Sequence, residues 1–302
     1  MCLLLASGCA RASSGRTAPL PTGSPGALRV VHGPSGRTVS FDELTSASAR
    51  ADIVFFGEQH DDPETHFAEF ALLEAIGRVR PRVVVSLEMF ERDVQPLLDE
   101  YLSGRMTEAD FLAKSRPWDR YATDYRGLVV LARARGWRVI AANVPRPIAN
   151  AVSRRGLAAV DTLPAESRAW VARELSCPRD KYYENFAESM KGHGGPGTAA
   201  DTAGARAMTD RFYEAQCVKD ETMGESIARE LAAAPDAIVV HFNGAFHSDY
   251  ALGTAERAKR RAGSAKTDVI TAVPVAAPST AVLGDHARRA EYVIFTRKPP
   301  AK

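Results

Sequence analysis

The chain has 302 residues, 45% of them hydrophobic and 25% charged, enough to bury a substantial core and unlike a fibrous or disordered composition. The formal net charge is only +2. No Lys/Arg-rich run is interleaved with stacking aromatics, so nucleic acid is not an expected partner.

The N-terminal stretch "MCLLLASGCARASSGRTAPLPTGSPG" holds a short apolar run that ends in Ala6, Ser7 and Gly8 before Cys9. This resembles a bacterial lipobox, with residues 1–9 as a truncated signal peptide and Cys9 as the lipidated thiol. The missing basic n-region and the short apolar stretch predict a start codon upstream of Met1. Residues 10–27, rich in Ser, Thr, Pro, Gly and Ala, suit a flexible tether between a lipid anchor and a folded domain. No later apolar run approaches the roughly 18 residues of a membrane-spanning helix. The expected location is the cell envelope, and the absence of Asp after Cys9 points to the outer membrane, facing the periplasm. Loss of Cys2 would leave Cys177 and Cys217, for which a disulfide and two separate buried thiols are equally compatible with the sequence.

"LRVVHGPSGRTVSF" alternates around a Gly-Pro-Ser-Gly turn and reads as a β-hairpin, and Ser40 with Glu43 offers a capping box for a short helix. Continuous apolar, β-branched runs follow at Ile53–Phe56, Val83–Leu87, Val139–Ala142, Ile238–Phe242, Val269–Val273 and Tyr292–Phe295. Unbroken apolarity predicts strands buried on both faces. Helical patterns lie between them: Glu64–Ile76 closed by Gly77, Val94–Tyr101, Tyr125–Arg135 closed by Gly136, and about Ala205–Leu231. The alternation predicts an α/β fold with a largely parallel central sheet flanked by helices. Residues 28–302 form the domain, with a helical insertion or subdomain at about 147–231.

Ligands of open α/β sheets bind beyond the carboxyl ends of the strands. Those ends carry Gly57-Glu58-Gln59-His60, Glu88, Asn143 and Gly244-Ala245-Phe246-His247. Two GxxH turns and a glutamate would converge on one edge. Asp62 and Pro63 cap the following helix, and His66 in its first turn is near enough in sequence to face the pocket of His60. Imidazoles with a carboxylate suit a borderline metal such as Zn, Mn or Fe, which makes His60, Glu88 and His247 candidate ligands. The alternative is that these side chains hydrogen-bond loop backbone and brace the sheet edge. Gln216 and Asp220, four residues apart on one helix face, can orient a ligand histidine or bind a small molecule, or form a solvated stripe. Arg211 and Lys219 are placed to attract anions. Tyr182, Tyr183, Met190 and His193 gather beside a glycine-rich stretch, and tyrosine, methionine and histidine are competent axial ligands of haem iron.

The blocks "FFGEQHDDPETHF", "VVSLEMFERDVQPLLDEYLSG", "FYEAQCVKDETMGESIA" and "VVHFNGAFHSDYALGTAER" resemble, in order and spacing, those of the ChaN-like haem-binding lipoproteins, in a superfamily with Tiki, TraB and erythromycin-esterase-like proteins. The resemblance covers about residues 28–302. It implies an α/β domain with a helical subdomain, a lipid anchor, haem binding in iron uptake, and a homodimer around the cofactor. Glu58, His60, Glu88, Gly244 and His247 match the superfamily turns, while Tyr182, Tyr183 and His193 remain candidates because no motif fixes the haem ligand.

Two functions follow. The first is a membrane-anchored haem-binding lipoprotein whose cofactor contacts come from His60, His66, Tyr182, Tyr183, His193, Gln216, Asp220 and His247. The second is a metal-dependent hydrolase of esterase or protease type, with a divalent metal on His60, Glu88 and His247 and Glu58 as general base.

Overall fold

The computed structural model describes residues 28–191 and 203–298. Cys9, the tether and His193 lie outside them.

The six apolar runs all form strands, and most extend by one or two residues into the turns that follow. The strands are β1 (Arg29–His32), β2 (Thr38–Val39), β3 (Ile53–Glu58), β4 (Val83–Glu91), β5 (Arg138–Asn143), β6 (Ile238–Gly244), β7 (Thr267–Val275) and β8 (Tyr292–Arg297). They build one sheet in the order β2-β1-β8-β7-β3-β6-β4-β5. Strands β8 to β5 are mutually parallel, and the β1–β2 hairpin adds antiparallel to β8 at the edge. The central strands β3 and β6 are buried at every position.

Around the sheet lie α1 (Phe41–Ser48), α2 (Pro63–Val79), α3 (Gln95–Leu102), α4 (Glu108–Ser115), α5 (Arg126–Arg135), α6 (Arg146–Arg155), α7 (Ala158–Asp161), α8 (Ala165–Arg168), α9 (Lys181–Met190), α10 (Ala203–Ala233) and α11 (Gly253–Ala262). Alternation along each strand sorts its side chains onto two faces. Val54, Phe56, Val85, Leu87, Val240 and Phe242 pack with Leu72, Leu98 and Leu128 of α2, α3 and α5. Ile53, Phe55, Val84 and Val239 pack on the other face with Ile227 of α10 and Ala258 of α11. Each fully buried phenylalanine or leucine of these layers contributes about 1.5–3 kcal/mol relative to exposure.

Helix boundaries follow the capping chemistry. Ser40 Oγ accepts from the Glu43 amide at 3.0 Å and starts α1. Asp62 accepts from the Glu64 amide at 3.0 Å with Pro63 in the first turn of α2. Gly136 ends α5 in the left-handed region at φ 66°. The expected stop at Gly77 is wrong. Helix α2 runs through it to Val79, and the glycine serves packing instead: a Cβ there would lie 2.0 Å from Cη2 of Trp137.

Between β5 and β6 the described residues hold helices α6 to α10 and no strand, with residues 169–180 irregular. Helices α6, α7 and α10 enclose a satellite core that includes Ile148, Val152, Val160, Val171 and Val218. The 31-residue α10 also covers the sheet through Ile227, so the insertion is continuous with the helical layer on that face. A Cys177–Cys217 disulfide ties the segment before α9 to α10.

Candidate functional site

The carboxyl ends of β3, β4 and β6 meet as the topology requires. Glu58 pairs with Gly244 and Leu87 with Phe242 in the parallel register. The pairing of β4 with β5 shifts between Leu87 and Glu91, which re-aims the Glu88 segment. Both GxxH glycines are required by close approach of one turn to the other. A Cβ on Gly57 would lie 2.9 Å from Ala245 Cα, and one on Gly244 would lie 2.8 Å from His60 Nε2.

One half of the site is a chain of buried charged groups. Glu88 Oε2 accepts the Gly244 amide at 2.8 Å, and Oε1 lies 3.3 Å from His247 Nε2. His247 Nδ1 is 2.7 Å from Asp220 Oδ1, which also accepts from Thr254 Oγ1 at 2.8 Å. Asp220 Oδ2 accepts from the Tyr182 hydroxyl at 2.7 Å. Gln216 Nε2 stands 3.3 Å from both His247 nitrogens and from the Tyr182 oxygen. Burial alone would neutralise His247, but Glu88 and Asp220 outweigh it and hold the imidazolium up to about pH 10. Burial likewise opposes charge on Glu88, and the His247 charge reverses this, keeping Glu88 well below the usual carboxylate range.

The other half surrounds Glu58, which is 1% exposed. Its Oε1 is 2.5 Å from His60 Nδ1 and accepts from the Tyr125 hydroxyl at 2.8 Å. His66 is buried beneath His60 and does not share its open face. Its Nε2 lies 3.2 Å from the His60 carbonyl and 3.4 Å from Asp124 Oδ2, and its Nδ1 lies 2.9 Å from Glu69 Oε2. Among the described residues, Glu58, His66 and Glu69 alone gather three metal-capable atoms within 4.8 Å of one another. His60, Glu88 and His247 line the same pocket but are not drawn to that mutual distance.

The edge opens into a cavity of about 610 Å³, lined by Glu58, His60, Glu88, Gln216, Lys219 and His247 among others. Cavities of about 390 Å³ and 270 Å³ continue it, one sharing Phe246, Asp249 and Arg289, the other His60 and Trp118. Together they form a trough of small-molecule size. Tyr250 borders it, 43% exposed, with φ 63° held by its amide donating to the Arg289 carbonyl at 2.6 Å. A bulky residue in the left-handed region is costly and concentrates at functional sites.

Of the aromatic candidates, Tyr182 is 1% exposed with its hydroxyl committed to Asp220. Tyr183 donates to Asp210 at 2.8 Å, stacks under Arg179 and does not line these three cavities. Sequence reasoning missed Glu69, Asp124, Tyr125, Asp249, Tyr250 and Arg289. Only Tyr250 carried a usable signal, a large aromatic beside the second GxxH turn.

Residues 44–258 match the profile of a family described as "Haem-binding uptake, Tiki superfamily, ChaN". The chain belongs to this family. Among solved structures this member is similar to "Cofacial heme binding to ChaN of Campylobacter jejuni", at TM-score 0.67 and 16% identity, covering 88% of this chain and 96% of that one. It is also similar to a mutant of the erythromycin esterase EreC in its open conformation, at TM-score 0.45 and 12% identity, over 82% of this chain and 76% of that one. The first likeness shares the fold. No curated protein matches.

Proposed function

We propose that this family member binds haem in the trough at the carboxyl edge. The observation that carries the reading is the family match over residues 44–258. The site suits a flat, amphipathic, dianionic ligand. Trp118 and Phe246 supply apolar wall, and Lys219 and Arg289 supply cations for propionates. Tyr250 would hold the iron: its hydroxyl has no hydrogen-bond partner among the described residues, and the residue lines the trough while 43% exposed. Phenolate oxygen is an established ligand of haem iron, and the bound group would supply iron-centred chemistry that the chain lacks. His60, half exposed at the mouth, faces the same space, while Gln216 and His247 line it and Asp220 bonds His247 from behind.

The wider role we assign is haem or iron uptake at the bacterial envelope, by a lipoprotein anchored through Cys9 to the outer membrane. The disulfide supports an oxidising compartment. A homodimer closing two open troughs face to face would cover the haem.

Titration of the purified full chain with hemin tests the reading. A saturable Soret band at one haem per chain is expected, with the tyrosinate-to-iron charge-transfer band lost in Tyr250→Phe. Absence of stoichiometric binding in the micromolar range refutes haem binding. Retention of the charge-transfer band in Tyr250→Phe refutes the ligand assignment.

A further inference from the structure

The haem reading leaves one buried cluster unused. Glu58 and Glu69 are 1% and 0% exposed, and each keeps one carboxylate oxygen, Glu58 Oε2 and Glu69 Oε1, fully buried and without a hydrogen-bond partner. A buried carboxylate oxygen without a donor is costly, and burial beside Glu58 pushes the Glu69 carboxyl well above its ordinary range, so the cluster takes up positive charge either as a proton shared by the two carboxyls or as a bound cation. The histidine between them sharpens the requirement. His66 Nε2 faces only acceptors, the His60 carbonyl and Asp124 Oδ2, so that nitrogen carries hydrogen. His66 Nδ1 therefore turns towards Glu69 Oε2 at 2.9 Å and Glu58 Oε2 at 3.8 Å. His66 Nδ1, Glu69 Oε2 and Glu58 Oε2 thus face one another across a common point.

We propose that Glu58, His66 and Glu69 form a buried site for a divalent first-row transition cation. All three donor atoms lie within 4.8 Å of one another. Two carboxylates balance a charge of +2, and one imidazole added to oxygen donors favours Zn2+, Mn2+ or Fe2+ over Ca2+ or Mg2+. Asp124 and the His60 carbonyl hold the far ring nitrogen, the carboxylate–histidine arrangement that orients a metal-binding imidazole. Tyr125 and His60 occupy the other oxygen of Glu58 and so leave Oε2 for the ion. Entry is from the trough, which Glu58 lines. This set differs from His60, Glu88 and His247, and it does not depend on haem.

The test uses haem-free full chain incubated with Zn2+ or Mn2+, desalted, and analysed for metal by mass spectrometry. One equivalent per chain is expected. Glu69→Gln should abolish retention, Asp124→Asn should weaken affinity about 10–100-fold, and Glu88→Gln should keep the equivalent. No retained metal in the wild type means that protons alone neutralise the cluster and overturns the proposal, as does loss in Glu88→Gln with retention in Glu69→Gln. Where Glu69→Gln fails to fold, X-ray absorption of the Zn2+-loaded wild type decides. One imidazole per zinc supports the site, and two imidazoles, as His60 with His247 would give, overturn it. A failure here leaves the hemin titration untouched.

Discussion

Asp249 stands on the trough wall with its side chain 11% exposed and its carboxylate 3.5 Å from the Arg289 guanidinium. Burial pushes its carboxyl up to about 6 from an ordinary 3.8, and Thr271 and Arg289 pull it back only in part. At about 1.36 kcal/mol per pH unit, that difference corresponds to about 3 kcal/mol. The folded state holds the proton more tightly than the unfolded one. This stability is therefore fully present below about pH 4, declines as pH rises, and is gone above about pH 6. Asp249→Asn keeps the shape and removes the titration, while every other ionising group is common to both proteins. Urea unfolding of the two from pH 4 to 8 should show the variant gaining on the wild type by about 2.4 kcal/mol between pH 4 and 7, then levelling. A difference independent of pH, or one that grows towards acid in the variant's favour, refutes the reasoning. The charge that costs stability at neutral pH lies beside the guanidinium assigned to a propionate.

Asp220→Asn removes one of the two carboxylates that hold His247 as imidazolium. The His247 pKa should fall from about 10, read by ring NMR titration, with a loss of about 3–5 kcal/mol at pH 7 for a broken buried pair. The stability that His247 contributes is present below its ordinary value of 6.5 and is lost as pH rises through about 10, so the variant's alkaline transition should move to lower pH. Gly77→Ala forces a Cβ to within 2.0 Å of the Trp137 ring and should cost about 1–3 kcal/mol in urea unfolding without changing hemin affinity. Replacing Cys177 and Cys217 with Ala opens a loop with a sequence separation of 40 and should cost about 4 kcal/mol on the loop-entropy account, read as a lowered Tm that added reductant does not lower further.

The sheet was legible because strands such as Ile53–Phe56 and Ile238–Phe242 are continuous β-branched or aromatic runs bounded by turns, a pattern that buried parallel strands must have. The GxxH turns were legible as chemistry, but not as packing, since Gly57 and Gly244 are glycines because each turn presses on the other. Glu69 reads in sequence as a polar position on an amphipathic helix, and only the docking of α2 beside β3 buries it against Glu58. Tyr125 and Asp124 come from a π-helical turn between α4 and α5 that carries no sequence signature. Tyr182 shows the converse error: a tyrosine beside a glycine-rich stretch suggests an open ligand, yet its hydroxyl is consumed by Asp220.

The two halves of the site look alike in sequence and differ in charge balance. In the half built on Glu88, all four carboxylate oxygens have partners: His247 and the Gly244 amide for Glu88, and His247, Thr254 and Tyr182 for Asp220. The His247 imidazolium offsets one of the two negative charges of that half and bonds both carboxylates. In the half built on Glu58, the near neighbours add Glu69 and Asp124, while His60 and Tyr125 reach only one oxygen of Glu58. Arg120 pairs with Asp124 at the outer side and leaves Glu58 Oε2 and Glu69 Oε1 unmet. The carboxylate oxygens without donors therefore sit under the first GxxH turn, which is why the proposed cation site is placed there. Because His60 bonds Glu58 and also faces the trough, a change of charge at Glu58 reaches the trough through that one ring.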